Sequence, residues 1–126
     1  MTTTDRKILI DARPLQGADA VRGIGSYVRG LLAGMIEVGF DRRAALLVDA
    51  GRPAPQLPRS DFVAYGISRR YRGRLGLFEE AAVLGRKLER IRPALYHATT
   101  LALPERSPIP LVVTLHDLIP WALESP

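Results

Sequence analysis

Residues able to bind or activate a substrate occur at four points in this sequence, each beside a short apolar run. They are Asp11 and Arg13, Gly23 and Gly25, His97 and Thr99, and His116 and Asp117. Carboxylates and arginines bind hydroxyl groups and anions. Imidazoles act as acids, bases or polar anchors near neutral pH. These residue types fit a site for an anionic ligand such as a phosphate.

The two glycines stand where an apolar stripe of helical spacing begins. A helix amino terminus presents unpaired N–H groups to a phosphate, and glycine lets the backbone come close to it. The complete dinucleotide fingerprint would need glycine at position 28, which is Val28. Gly23 and Gly25 therefore fit either a phosphate loop or ordinary turn chemistry.

The histidines and the first charged pair also allow two interpretations. His116 follows an apolar strand-like run, as an acid–base group or ligand would, but a hydrogen-bonded structural histidine fits equally. His97 follows Tyr96 and precedes small residues, which favours a structural role. Asp11 and Arg13 line a cleft or pair with other charges at the sheet edge. A metal-dependent phosphohydrolase would need more histidines and aspartates, so we expect no metal.

Short apolar runs and two longer amphipathic stripes alternate along the chain. We predict strands at 7–11, 44–49, 61–65, 94–97 and 111–115, and helices at 24–38 and 77–91. This order indicates an α/β, Rossmann-like, mostly parallel sheet with helices on both faces. Ligands of such sheets bind beyond the carboxyl ends of the strands. We therefore expect Asp11, Arg13, His97, Thr99, His116 and Asp117 to converge on one cleft edge.

Composition excludes several protein classes. The 126 residues fit one domain, and 47% apolar with 25% charged residues argues against general disorder. Cysteine is absent, which excludes disulfides and thiolate metal sites. No signal peptide or membrane span is recognisable, so we expect a cytoplasmic protein.

The net charge of +5 is nearly all arginine, which fits an anionic partner or a coding bias. The arginine-rich segment 69–74 is either a solvated surface or a peripheral contact with an anionic membrane. Aromatic residues make up only 6%, so no stacking platform accompanies the arginines and nucleic-acid binding is disfavoured.

Three segments, in order and spacing, carry a resemblance over nearly the whole chain. They are ILIDARPLQG with RGIGSYVRGLL, RPALYHATTLALP, and PLVVTLHDLIPW. Together they resemble the amino-terminal domain of family 4 retaining glycosyltransferases with the GT-B fold. In that family two Rossmann-like domains face each other across a cleft. The amino-terminal domain receives the acceptor, and the carboxyl-terminal domain holds the nucleotide-sugar donor.

The resemblance implies a role for each site residue. It places Gly23 and Gly25 at the donor diphosphate and His116 at the reaction centre as the catalytic histidine, without a metal or other cofactor. Thr99 and Asp117 would line the cleft with it. Ser26 departs from the arginine that the family often shows.

The resemblance also implies partners. We expect a truncated amino-terminal domain, inactive without a carboxyl-terminal domain in cis or in another chain. Its substrates would be a nucleotide sugar and a glycan or lipid-linked acceptor, as in polysaccharide biosynthesis, with the enzyme cytoplasmic or at the inner membrane face. The alternative is a flavodoxin-like module that binds a small molecule or phosphate without catalysis.

Overall fold

A computed structural model describes residues 6–17, 20, 22–68 and 73–116. Its elements are β1 (Ile8–Asp11), α1 (Gly23–Glu37), β2 (Ala44–Asp49), β3 (Val63–Ile67), α2 (Gly73–Ile91), β4 (Leu95–Ala98) and β5 (Leu111–Val113), with 3-10 helices at Arg13–Gln16 and Phe40–Arg43.

The five strands form one parallel sheet in the order β3-β2-β1-β4-β5. The central strand β1 pairs with β2 from Ile8 opposite Ala44, and with β4 from Ile8 opposite Leu95. The predicted α/β, Rossmann-like class is confirmed. The chain builds outward from β1 through β2 to β3 and then returns to add β4 on the other side. The strand order therefore reverses between β1 and β4, where doubly wound sheets open a ligand crevice.

Alternate strand residues enter two separate cores, because successive side chains point to opposite faces. On one face Leu9, Leu47 and Tyr96 pack with Leu84 and Leu88 of α2. We call this side the α2 face.

The other face is built in the same way. Ile10 and Leu46 pack there with Val28 and Leu32 of α1. This side is the α1 face, and the two helices cover opposite sides of the sheet as the sequence predicts.

Several element boundaries differ from the sequence prediction. β3 begins at Val63 and α2 already at Gly73, so Arg74 belongs to the helix. The segment after β1, predicted as loop, forms a 3-10 helix because Pro14 fixes a helical φ near its start. Within the described residues, no helix has the length and apolar character to cross a bilayer.

Candidate functional site

The carboxyl ends of β1 and β4 are joined at the reversal of strand order. The hydroxyl of Thr99 donates a hydrogen bond to the main-chain carbonyl of Asp11 over 2.8 Å, and both residues are buried. Thr99 follows β4 directly, so its main chain lies at the floor of the crevice. The residues predicted to line a cleft are grouped around this bond, but on two different faces.

His116 lies on the α1 face of the crevice. Its Nε2 donates to the Thr99 carbonyl over 2.7 Å. Tyr27 of α1 meets the imidazole edge-on, with ring centroids 5.2 Å apart and an interplanar angle of 79°. The imidazole is thus held between the end of β4 and the second turn of α1, while much of the ring is exposed.

Beside His116, His97 forms a second cluster of polar side chains with Thr114 and Tyr27. Its Nε2 lies 2.7 Å from Oγ1 of Thr114, and the same Thr114 oxygen lies 3.2 Å from the Tyr27 hydroxyl. Burial lowers the pKa of His97 below its ordinary value. A neutral His97 that is bonded to Thr114 supports the structural interpretation of this residue.

The amino terminus of α1 opens on the same face. Its cap, Arg22, makes no side-chain capping bond, and no acidic residue occupies the first turn. Gly23 is exposed, a Cβ built on it would meet no atom within 4 Å, and Gly25 is buried. Among the described residues, no side chain caps the first-turn N–H groups, which is the arrangement that receives an anion.

Asp11 and Arg13 lie on the α2 face, away from the two histidines. Oδ1 and Oδ2 of Asp11 accept Nε and Nη2 of Arg13, each over 2.8 Å, and Oδ1 also accepts the Arg13 main-chain N–H. Arg13 makes a further ion pair through Nη1 with Glu80 of α2. Asp11 and Arg13 thus lie at the same edge of the sheet as the histidines but on its other face, because strand alternation separates Asp11 from His97.

The carboxylates of Asp11 and Glu80 hold Arg13 in its charged form. Burial by itself lowers the pKa of Arg13, but the hydrogen bond and charge of Asp11 outweigh burial and raise it overall. The guanidinium is engaged by two carboxylates, so its charge is neutralised locally. Arg13 thus fastens the end of β1 to α2, which favours the charge-pairing interpretation over direct binding of an anion.

A cavity of about 250 Å³ opens beside this cluster. It is lined by Asp11, Arg13, Pro14, Asp49, Arg52, Ile67, Ser68, Glu80, Val83, Thr100 and Ala102. Carboxylates, arginines and hydroxyls surround it, so it suits a ligand rich in hydroxyl groups. Across the described ranges, no cluster of three or more histidine, aspartate or glutamate side chains could hold a metal ion.

Asp49, at the end of β2, stands where dinucleotide-binding Rossmann domains have the carboxylate that binds the ribose. Its carboxylate instead accepts the Gly51 N–H over 2.8 Å. The Gln16 side chain accepts the Asp49 N–H over 2.7 Å and donates to the Asp49 carbonyl over 3.0 Å. The 3-10 helix thus lies across the ends of β1 and β2.

Asp117 lies outside the described residues. The structure adds Tyr27, Thr114 and Glu80, which the sequence analysis did not identify as site residues. In the sequence, Tyr27 and Glu80 are recognisable only as parts of the predicted helices, and Thr114 only as part of a predicted strand. The sequence signal that could have found Tyr27 is its distance of one turn from Gly23, since an aromatic residue there faces the crevice mouth.

Comparison with known proteins finds no family model, no curated protein and no solved structure that matches this chain.

Proposed function

We propose that this chain is the acceptor-side domain of a glycosyltransferase that moves a sugar from a nucleotide-sugar donor to a glycan or lipid-linked acceptor. The observation that carries the proposal is that His116 and the uncapped start of α1 share one face of the crevice, bridged by Tyr27. The resemblance assigns the donor's nucleotide to a carboxyl-terminal domain, which the proposal requires in cis or in a second chain.

The chemistry of sugar transfer matches these two features. The leaving nucleoside diphosphate gains negative charge, which helix-end N–H groups stabilise. The sugar passes through an oxocarbenium-like state, and hydrogen bonds to its hydroxyls strengthen there. In this proposal the first turn of α1 faces the diphosphate, and His116 binds a hydroxyl of the transferred sugar.

The cavity on the α2 face supports an acceptor role. It opens at the carboxyl edge of the sheet and is lined by Ser68, Thr100 and the Asp11–Arg13–Glu80 cluster. Carboxylates and hydroxyls of this kind accept hydrogen bonds from sugar hydroxyls. We therefore place the acceptor glycan in this cavity, across the crevice floor from His116.

The flavodoxin-like phosphate-binding alternative shares the open start of α1 with this proposal. It differs in needing no second domain, so the chain alone would bind a nucleotide tightly. The Asp49 carboxylate, which would hold a dinucleotide's ribose, already accepts the Gly51 N–H and pairs with Arg52. Micromolar binding of a free nucleotide to this chain alone, with no transfer by any longer form, would favour the alternative.

Transfer assays with a panel of nucleotide sugars test the proposal, using the longest reading frame that contains this sequence. We expect transfer or donor hydrolysis with at least one donor, and a loss of about 10²–10³-fold in kcat in His116→Ala, the range for removing one stabilising group at a reaction centre. Glu37→Gln, at the far end of α1, is the matched control and should keep full activity. Equal activity of His116→Ala and the control would refute the site assignment.

The same proposal includes a peripheral membrane contact for a lipid-linked acceptor. Leu75, Leu77 and Phe78, at the start of α2, are 66%, 61% and 75% exposed. They directly follow the arginine-rich segment 69–74, of which residues 69–72 lie outside the described residues. Apolar side chains beside basic ones are typical of a surface that meets anionic lipid.

Sedimentation with vesicles tests this contact. Binding to phosphatidylserine vesicles should exceed binding to phosphatidylcholine vesicles, fall with added salt, and weaken in Phe78→Ser. Val38→Ser, an exposed apolar residue beyond the end of α1, is the control. Equal binding to both lipids, or none to either, would reject the membrane contact.

A further inference from the structure

We propose that Tyr27 is a positioning residue for His116, and that together with the Thr99 carbonyl it holds the imidazole in one tautomer, with Nδ1 free to accept a hydrogen bond in the crevice. The tautomer follows from the geometry alone. Only its use by a sugar hydroxyl rests on the proposed function.

The Thr99 carbonyl determines which nitrogen carries the proton. A carbonyl oxygen can only accept a hydrogen bond, so Nε2 of His116, 2.7 Å away, must be protonated. A neutral imidazole has one N–H, and its other nitrogen is an acceptor. Within the described residues no polar atom bonds Nδ1. The free lone pair of a neutral His116 therefore lies on Nδ1.

Tyr27 fixes the plane of the ring. Its ring meets the imidazole edge-to-face at 5.2 Å, a geometry in which aromatic pairs attract. Its hydroxyl lies 3.2 Å from Thr114 Oγ1, so the tyrosine is held at its far end as well. Turning the His116 ring out of its plane would break both the Thr99 bond and this contact, and reversing the ring would break the Thr99 bond.

Thr99 is itself fixed in place. Its hydroxyl donates to the Asp11 carbonyl, and its side chain is fully buried. The carbonyl that receives His116 therefore belongs to a residue tied to the central strand β1. Two rigid supports, one from the sheet and one from α1, thus hold one exposed imidazole.

This arrangement predicts what His116 does and does not do. The Nε2 proton is committed to Thr99, so the ring does not deliver it to a substrate. Nδ1 accepts a hydrogen bond, and a sugar hydroxyl would donate one there. Because Tyr27 belongs to α1, the same helix that presents its amino terminus to the diphosphate also sets the position of Nδ1.

NMR of the chain labelled with ¹⁵N-histidine tests the tautomer without any activity assay. The chain has two histidines, and His116→Asn assigns their signals. In spectra of the neutral imidazole, we expect His116 Nε2 to be protonated and Nδ1 to show the shift of an unprotonated nitrogen. A protonated Nδ1, or an equal mixture of tautomers in the unmodified chain, would overturn the proposal.

Variants of Tyr27 test its role. Tyr27→Leu should produce a mixture of tautomers, whereas Tyr27→Phe, which keeps the ring, should retain the Nε2–H form. The amide spectrum of each variant shows whether it is folded, and Tyr27→Met, which also lacks an aromatic ring, replaces Tyr27→Leu if that variant unfolds. A tautomer unchanged in folded Tyr27→Leu would show that Tyr27 has no positioning role.

Activity assays on the protein encoded by the longest reading frame distinguish the role of Nδ1 from that of Nε2 of His116. The Asn amide coincides with the place of Nδ1 and the Gln amide with that of Nε2. We expect His116→Asn to keep at least about tenfold more kcat than His116→Gln, and Tyr27→Leu to lower kcat with little change in acceptor KM. Equal kcat in the Asn and Gln variants would overturn the role of Nδ1. The expected tautomer without transfer by any form would instead refute the proposed function and leave the positioning intact.

Discussion

The hydroxyl of Thr99 donates to the main-chain carbonyl of Asp11 over 2.8 Å and thereby connects β4 to β1 where the strand order reverses. The two residues that this bond joins support different groups on the two faces of the sheet. On one side Thr99 supports His116 through its own carbonyl, and on the other Asp11 holds Arg13.

Removal of the Thr99 hydroxyl should destabilise the fold. Thr99→Val keeps the shape of the side chain but leaves the buried Asp11 carbonyl without its donor, which costs about 1–3 kcal/mol. Urea unfolding followed by circular dichroism measures the change. Thr99→Ser keeps the hydroxyl and should retain most of the stability. Equal losses in both variants would mean that the methyl group matters and the bond does not.

Loss of Arg13 should be more damaging than loss of an exposed arginine. Arg13→Met leaves Asp11, 1% exposed, as an uncompensated buried charge, at a cost of about 3–5 kcal/mol. Arg42→Met, which removes an exposed pair with Asp61, should cost about 0–1 kcal/mol.

The double variant Asp11→Asn, Arg13→Met tests whether the unpaired charge of Asp11 causes the loss of stability. It removes the unpaired charge and should recover much of the stability that Arg13→Met loses. If the double variant is no more stable than Arg13→Met, lost packing rather than the buried carboxylate explains the effect.

Tyr96→Phe should leave the protein equally stable, or more stable by up to about 1 kcal/mol. The Tyr96 hydroxyl is buried and has no hydrogen-bond partner among the described residues. Burial, with the nearby charge of Asp11, raises the pKa of Tyr96, so the phenol stays neutral. Thermal unfolding compares the two proteins. A clear loss of stability in Tyr96→Phe would show that Asp11 or Arg13 bonds the hydroxyl in solution.

His97 should make stability depend on pH in mildly acidic solution. Burial lowers its folded-state pKa, so below the ordinary value of about 6.5 the unfolded chain takes up a proton more readily than the folded one. Stability from this group is complete above that pH and falls as the pH falls toward the folded-state pKa. His97→Gln, which does not titrate, should flatten the slope of unfolding free energy against pH across this range. An unchanged slope would assign it to other groups.

The sequence allowed most strands and helices to be located, but not the face that each residue occupies. A strand such as β1 is apolar on both sides because helices cover both faces, so its pattern shows no alternation that would separate Asp11 from Ile10. The pairing of Arg13 with Glu80 joins a strand end to a distant helix, and no local spacing encodes such a contact. The position of Gly23 and Gly25 at the start of α1, by contrast, could be predicted, because the apolar stripe of helical spacing begins there.

The strand order also has a consequence for how the molecule is made. β1 is synthesised before the other strands, yet it is the centre of the sheet, and Ile8 must pair with both Ala44 and Leu95. Its second edge stays open until β4 has left the ribosome. Such distant pairing slows folding, because long loops must close before contacts reward them. The nascent chain therefore carries β1 with one apolar edge unpaired until the residues of β4 have emerged.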